Sequence, residues 1–158
     1  MTRKKLVLII AVAALVMVAA AAYYFFVSVP SSATPAPVVE ERVTVQPLPR
    51  HIEVADTPQK RVQGLSGREV VEDDYGMLFI FDVEGRSGFW MKDMRVPIDI
   101  IWISAQGTIV HIEHSLSPDT YPEIFTPPYP ARYVLETKAG YARTHNWTYG
   151  TKLDLASY

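Results

Sequence analysis

At residues 86–100 the chain reads RSGFWMKDMRVPIDI, the densest mixture of aromatic, sulfur-containing and charged residues in the sequence. If this stretch begins as a β-strand, Phe89 and Met91 lie on one face and Trp90 and Lys92 on the other, because side chains along a strand alternate. The first face can then be part of a core while Lys92 stands beside Trp90 on the second. We predict that the rest of the fold is organised around this stretch.

Pro97 interrupts the stretch, because proline has no N–H to donate to a sheet and holds the preceding residue in an extended conformation. We predict that the chain turns there and forms a hairpin from two strands on either side of Gly107. Further strands are predicted from alternating or continuous apolar runs at residues 51–55, 76–81, 131–137 and 152–155.

Helices are predicted to be few and short. Asp56-Thr57-Pro58 has the residues of a helix start, and Gly64 provides an end within about two turns. A second short helix is predicted within residues 138–145. The pattern indicates a β-rich α+β fold, with a small mixed or antiparallel barrel-like sheet and one or two short helices behind an N-terminal transmembrane helix.

The N-terminal residues carry signals for location. Residues 1–5 are basic, and residues 6–29 contain no charge, so a helix there would be roughly 36 Å long and would cross a hydrocarbon core of about 30 Å. We predict a cytoplasmic flank at 1–5, a transmembrane signal-anchor at 6–29, a stalk rich in Pro, Ser and Ala at 30–48, and an extracytoplasmic domain at 49–158. The alternative is a cleaved signal peptide and a secreted domain.

Composition excludes several classes of protein. From Glu40 onward the chain carries 12 basic and 17 acidic residues, a balance of −5, which does not suit phosphate neutralisation, so we expect no nucleic-acid partner. The absence of cysteine excludes disulfides and thiolate metal sites. We also expect no cofactor.

Six ordered blocks in the chain match a known pattern: TPxxRxxGLxxR at 57–68, GMLFxF at 76–81, FWMK at 89–92, PxDI at 97–100, GxIV at 107–110 and ARYVLE at 131–136. Together they resemble the DUF192 family of uncharacterised proteins, also called UPF0127. The resemblance implies a compact, β-rich α+β domain of prokaryotic type, often exported behind a signal peptide or an anchor, with no settled activity. Members usually carry asparagine and threonine where this chain has Asp93 and Met94, which changes charge and hydrogen-bond donors there.

Basic and aromatic side chains in these blocks suggest a pocket for a carboxylate, a phosphate or an acidic sugar, because arginine binds planar anions bidentately and lysine adds a point charge. The candidate ligand-binding residues are polar or aromatic and lie in or near the blocks: Trp90, Lys92, Asp93, Asp99, Arg61, Arg68, Arg132 and Tyr129. The alternative is that these charges pair within the fold, Arg61 and Arg68 with Glu69, Glu72 or Asp99, and Lys92 with Asp93 or Asp99. Trp90 and Trp102 would then belong to the core.

The spacing most similar to a metal site is His111-x-Glu113-His114. A strand places His111 and Glu113 on one face and His114 on the other, whereas zinc requires three or four ligands. We therefore predict no metal site, with His111 and Glu113 as solvent-facing polar residues.

Two functions follow from these residues. The first is a membrane-anchored extracytoplasmic binding module for a small anionic or carbohydrate ligand, or for a partner protein of the cell envelope. The alternative is a cell-envelope enzyme that uses Lys92 with Asp93 or Asp99, or His111 with Glu113, as acid and base. The first is the function that we expect.

Overall fold

The computed structural model describes residues 3–27 and 44–158. Helix α1 spans Arg3–Val27, and its side chains from residue 12 to residue 27 are exposed. Among the residues whose side chains the structure describes, no helix is both long and apolar enough to cross a membrane. The predicted anchor stays a prediction, and residues 28–43, which include most of the predicted stalk, lie outside the described residues.

A five-stranded sheet forms the centre of the domain, in the order β2-β3-β6-β4-β5. Its strands are β2 (His51–Ala55), β3 (Tyr75–Gly85), β4 (Ile98–Ile103), β5 (Ile109–Leu116) and β6 (Ala131–Lys138). Strands β2 and β3 are parallel, and every other neighbouring pair is antiparallel. The predicted mixed, strand-rich α+β fold is confirmed.

The barrel-like arrangement is wrong, because the sheet stays open: β2 and β5 are its two edges and do not pair with each other within the described residues. A separate parallel pair joins β1 (Val45–Gln46) to β7 (Lys152–Leu153). Strand β1 lies inside the segment predicted as a stalk. Because β1 pairs with the C-terminal strand β7, the folded domain begins before residue 49.

Both faces of the sheet are covered, which explains why the residues of β4 are buried without alternation. One core packs on the face that carries Phe79, Ile100 and Val134, and a second packs on the face that carries Leu78 and Ile101. Alternation along the strands separates the two sets. The first face is covered by segments that follow α2 (Pro58–Gln63), through side chains such as Leu65, Val71 and Met91, and the second by α3 (Tyr141–Thr144) and Trp147.

Side-chain capping and backbone conformation explain where helix α2 begins and how the β4–β5 loop turns. Thr57 caps α2 by accepting a hydrogen bond from the backbone N–H of Lys60 at 3.3 Å, with proline in the first turn, as the sequence predicts. Gly107 has a φ of 77°, and a Cβ there would lie 2.8 Å from the carbonyl oxygen of Leu153. Only glycine fits the β4–β5 hairpin at this point, because the loop needs positive φ and also contacts β7.

Candidate functional site

Residues 86–97, here called the central stretch, do not form the predicted strand. They run as a loop over the first face of the sheet, with a turn at Lys92–Asp93 and, among the described residues, a single antiparallel bridge from Phe89 to Phe125. Asp93 adopts a φ of 57°, and its carbonyl accepts a hydrogen bond from the backbone N–H of Gly67 at 2.8 Å. The predicted alternation survives without a strand, since Met91 is buried while Trp90 is 46% exposed.

A cleft of about 330 Å³ opens between the central stretch, helix α2 and the sheet. We call it the Glu136 cleft and define it by six of its lining residues: Arg61, Gly64, Phe79, Phe89, Trp90 and Glu136. The volume lies at the lower end of the range for small-molecule sites. The cleft is therefore large enough for a metabolite-sized ligand.

Glu136 lies at the floor of this cleft on strand β6, between Met77 of β3 and Ile100 of β4. Its side chain points to the first face because it follows Val134 by two residues. The residue is 4% exposed, and its Oε2 has no hydrogen-bond partner within the described residues. Burial raises its pKa to about 8, and a hydrogen bond from the backbone N–H of Leu65 opposes this shift.

Gly64, just after α2, allows the backbone to approach this carboxyl group. A Cβ at Gly64 would lie 3.4 Å from Oε2 of Glu136 and 3.4 Å from Cζ of Phe79. Its φ of 51° also favours glycine. The end of the helix, an aromatic edge and the carboxyl group therefore meet at one point of the cleft.

Arg61 stands on the wall of the same cleft. Its Nη1 donates hydrogen bonds to the carbonyl oxygens of Asp56 and Ile80, both at 2.9 Å, and its guanidinium lies 5.5 Å from the ring centroid of Phe81. The predicted ion pairs of Arg61 are wrong, because backbone carbonyls hold its Nη1. No carboxylate within the described residues pairs with it.

Lys92 lies at the rim, exposed, with its Nζ 6.0 Å from the ring centroid of Trp90. It forms no ion pair with any carboxylate that the structure describes, so the predicted pairs with Asp93 and Asp99 are wrong. Trp90 also contacts Tyr121 edge to face, at 6.1 Å between ring centroids. The prediction that Trp90 is a core residue is wrong, whereas the same prediction for Trp102 is confirmed, since Trp102 is fully buried.

Asp99 does not belong to this site. It alternates with Ile98 and Ile100 and therefore points to the second face of the sheet. The residue is fully buried, and its carboxylate accepts backbone N–H groups from Ser115, Gly140 and Ala142 at 2.8–2.9 Å. Its role is to hold the end of β5 and the start of α3.

Three other candidates lie outside the cleft. Arg68 pairs with Glu53 at 2.6 Å instead of the predicted partners, and the hydroxyl of Tyr75 donates to the same carboxylate oxygen. That hydroxyl and the arginine hold the pKa of Glu53 below its usual value. Arg132 is exposed and stacks on Tyr133, and Tyr129 is exposed near Tyr149.

His111 and Glu113 share a face of edge strand β5, as predicted, and His111 Nε2 lies 2.9 Å from Glu113 Oε1. Within the described residues no group of three or more His, Cys, Asp or Glu side chains could hold a metal ion. His51 and Glu53 cannot add to this pair, because β2 forms the opposite edge of the sheet.

Of the predicted site residues, the fold brings Arg61 and Trp90 into the cleft, with Lys92 at its rim. Sequence reasoning missed Glu136, although it belongs to the ARYVLE block. A signal was present, because an acidic residue continues the apolar run of β6 on the same face as Val134. Only the pairing of β6 between β3 and β4 shows that this position is central and buried.

A family model, DUF192, described as uncharacterised ACR, matches residues 40–155. A UPF0127 protein from Thermococcus gammatolerans is 32% identical over 96 residues, which cover 60% of this chain and 59% of that protein. The chain thus spans about three fifths of the length of this relative.

Two solved structures are similar. One, from Sinorhizobium meliloti 1021, has a TM-score of 0.61 and 34% identity, covering 64% of this chain and 78% of the other. The second, a protein of unknown function from Novosphingobium aromaticivorans, has a TM-score of 0.61 and 27% identity, covering 64% of this chain and 71% of the other.

Proposed function

The chain belongs to the DUF192 family, and we propose that this member is a small-molecule-binding module whose ligand occupies the Glu136 cleft. One observation carries the proposal: a nearly fully buried carboxyl group at the floor of the cleft has an oxygen for which the described residues supply no partner. Leaving a buried polar group unpaired costs about 1–3 kcal/mol, or more for a charged group. A ligand that supplies the missing hydrogen bond recovers that free energy.

The lining of the cleft restricts the ligand. The ionised form of Glu136 repels an anion and accepts hydrogen bonds, whereas Arg61 on the wall attracts an anion, so we place an anionic group of the ligand at Arg61. A carbohydrate can donate hydroxyl groups to Glu136 and lay an apolar ring face on Phe89 or Trp90. Of the two predicted ligand classes, the floor of the cleft thus favours molecules that carry a hydrogen-bond donor.

The predicted enzyme is not the function that we propose. Asp99 points away from Lys92 and uses its oxygens on three backbone N–H groups. The pair of His111 and Glu113 lies on the edge strand β5, separated from the cleft residue Glu136 by β4. Lys92 and Asp93, the remaining predicted pair, are both exposed, and no residue of the three predicted pairs lines the cleft.

We further propose that the module works outside the cytoplasm. The basic residues 1–5 followed by the uncharged segment 6–29 support this location, because positive flanks stay inside. Protease treatment of intact cells that express the full chain with a C-terminal tag tests it. Digestion of the tag supports the proposal, and protection that is lost only on lysis contradicts it.

A ligand screen tests the binding function. The full chain is melted in the presence of sugars, amino acids, amines and organic acids, since a ligand at a hundredfold excess over its Kd stabilises by about 2.7 kcal/mol. Trp90→Ala removes an exposed lining residue of the cleft, and Tyr149→Ala, 70% exposed and outside it, is the matched control. We expect a shift that Trp90→Ala reduces and Tyr149→Ala preserves. If no compound shifts the melting temperature, or if the shift is equal in both variants, the cleft is not the binding site.

A further inference from the structure

Two opposite charges line the Glu136 cleft without pairing with each other. Arg61 and Glu136 both face it, yet no ion pair joins them. Two hydrogen bonds of Arg61 come from Nη1, so the N–H groups on Nε and Nη2 have no acceptor among the described residues. Glu136 Oε2 likewise has no donor within the part of the chain that the structure describes. The cleft therefore offers a cationic group on its wall and a carboxyl group at its floor.

We propose, on the basis of the function proposed above, that the ligand is a small zwitterion, an amino acid or a compound of that type. Its ammonium group binds Glu136, and its carboxylate binds the free N–H groups of Arg61. Arginine is suited to this role because its planar guanidinium binds a carboxylate bidentately. The backbone hydrogen bonds of Nη1 hold the guanidinium in place before the ligand arrives, which reduces the entropy lost on binding.

Apolar side chains that line the same cleft favour an apolar ligand side chain. Leu65, Phe79, Phe89 and Met94 line the cleft. Phe79 Cζ and Glu136 Oε2 lie at the same distance from the Cβ position of Gly64, so an apolar ring edge borders the carboxyl group. Leucine, methionine and phenylalanine are therefore the probes of choice.

Binding of an ammonium group requires the charged form of Glu136. Because the pKa of Glu136 is raised to about 8, most of the population is protonated at pH 7, and binding should release about 0.9 proton. Arg61 is the other charged group that lines the cleft. Lys92 at the rim is exposed. Beside the cleft, the carboxylate of Glu53 accepts hydrogen bonds from Arg68 and from Tyr75.

Calorimetry on the full chain tests the assignment with matched probes. Leucine carries both charges, leucinamide lacks the carboxylate, 4-methylpentanoate lacks the ammonium group, and glucose is neutral. We expect leucine, or methionine or phenylalanine with its own analogues, to bind roughly 30-fold more tightly than either analogue. Glu136→Gln should weaken the binding of the zwitterion by a similar factor. Titrations in two buffers of different ionisation enthalpy should give a release near 0.9 proton for the unmodified chain, a readout that does not depend on the folding of any variant.

Each contrary outcome has a separate meaning. Equal binding of leucine and 4-methylpentanoate, or binding without proton release, overturns the zwitterion. Glucose binding that Trp90→Ala abolishes also overturns it while keeping the function proposed above. Binding of none of the probes, together with an empty ligand screen, overturns both.

Discussion

Glu136→Gln should make the domain more stable, and increasingly so as pH rises. Glutamine has nearly the same shape as glutamate but carries no charge, so it removes the cost of an ionised group in a site that is 4% exposed. Between about pH 4.5, the ordinary pKa, and about pH 8, the folded protein keeps a proton on Glu136 that the unfolded chain has released. Stability of the unmodified protein therefore falls as pH rises through this window.

The size of the effect follows from the same two pKa values. A difference of one unit corresponds to about 1.4 kcal/mol, so this residue lowers the free energy of unfolding by about 4 kcal/mol between pH 5 and pH 9. The glutamine variant should lack this contribution. The gap in stability between the variant and the unmodified protein should thus widen by about 4 kcal/mol over that range.

Urea unfolding of both proteins at pH 5, 6, 7, 8 and 9 measures the gap. Other titrating groups contribute equally to both proteins and cancel in the difference. Glu72→Gln, at an exposed carboxylate without an ion pair in the described residues, is the control and should show a gap that stays nearly constant. Parallel pH profiles for Glu136→Gln and the unmodified protein would refute the reasoning, because they would show that Glu136 titrates alike in the folded and unfolded states.

Three further changes test the fold around the site. Asp99→Ala should cost at least about 3 kcal/mol in urea unfolding, because it leaves three backbone N–H groups without their acceptor, that of Ala142 buried and those of Ser115 and Gly140 in partly buried hydrogen bonds; a loss below about 1 kcal/mol would contradict this. Trp102→Phe should cost more than Trp147→Phe, since the indole N–H of Trp102 donates at 3.0 Å to a carbonyl of the central stretch and that of Trp147 finds no partner among residues 3–27 and 44–158; equal losses of stability would contradict this. Gly107→Ala should lower the melting temperature strongly, because its Cβ would lie 2.8 Å from a backbone oxygen of β7. Gly85→Ala, with open space around it, is the comparison and should change the melting temperature little.

Local sequence determined most of the secondary structure. Alternation and proline placement predicted β2, the hairpin of β4 and β5, and β6, while Thr57 and Pro58 marked the start of α2. These signals act over a few residues, so they can be read without knowing what packs where. The family blocks likewise identified the kind of domain.

The central stretch shows the limit of what local sequence can predict. Its side chains do alternate, since Met91 is buried and Trp90 is exposed. Within the described residues, however, no strand pairs with most of its length. A strand requires a partner, and the described part of the chain provides one bridge here, from Phe89 to Phe125. The same alternation of buried and exposed side chains therefore occurs in a loop that covers the sheet.

The candidate site depended on tertiary structure for a related reason. Asp99 and Glu136 are both acidic residues in apolar strands, and the sequence alone could not rank them. The pairing of β4 and β6 buries both, but alternation turns them to opposite faces of the sheet. On the second face, Asp99 receives three backbone N–H groups from β5 and α3. On the first face, Glu136 receives too few partners, since helix α2 ends at Gly64 and leaves a cleft above it. Whether a buried carboxylate is structural or free for a ligand depends on which groups of distant segments reach it, and this information lies in the packing.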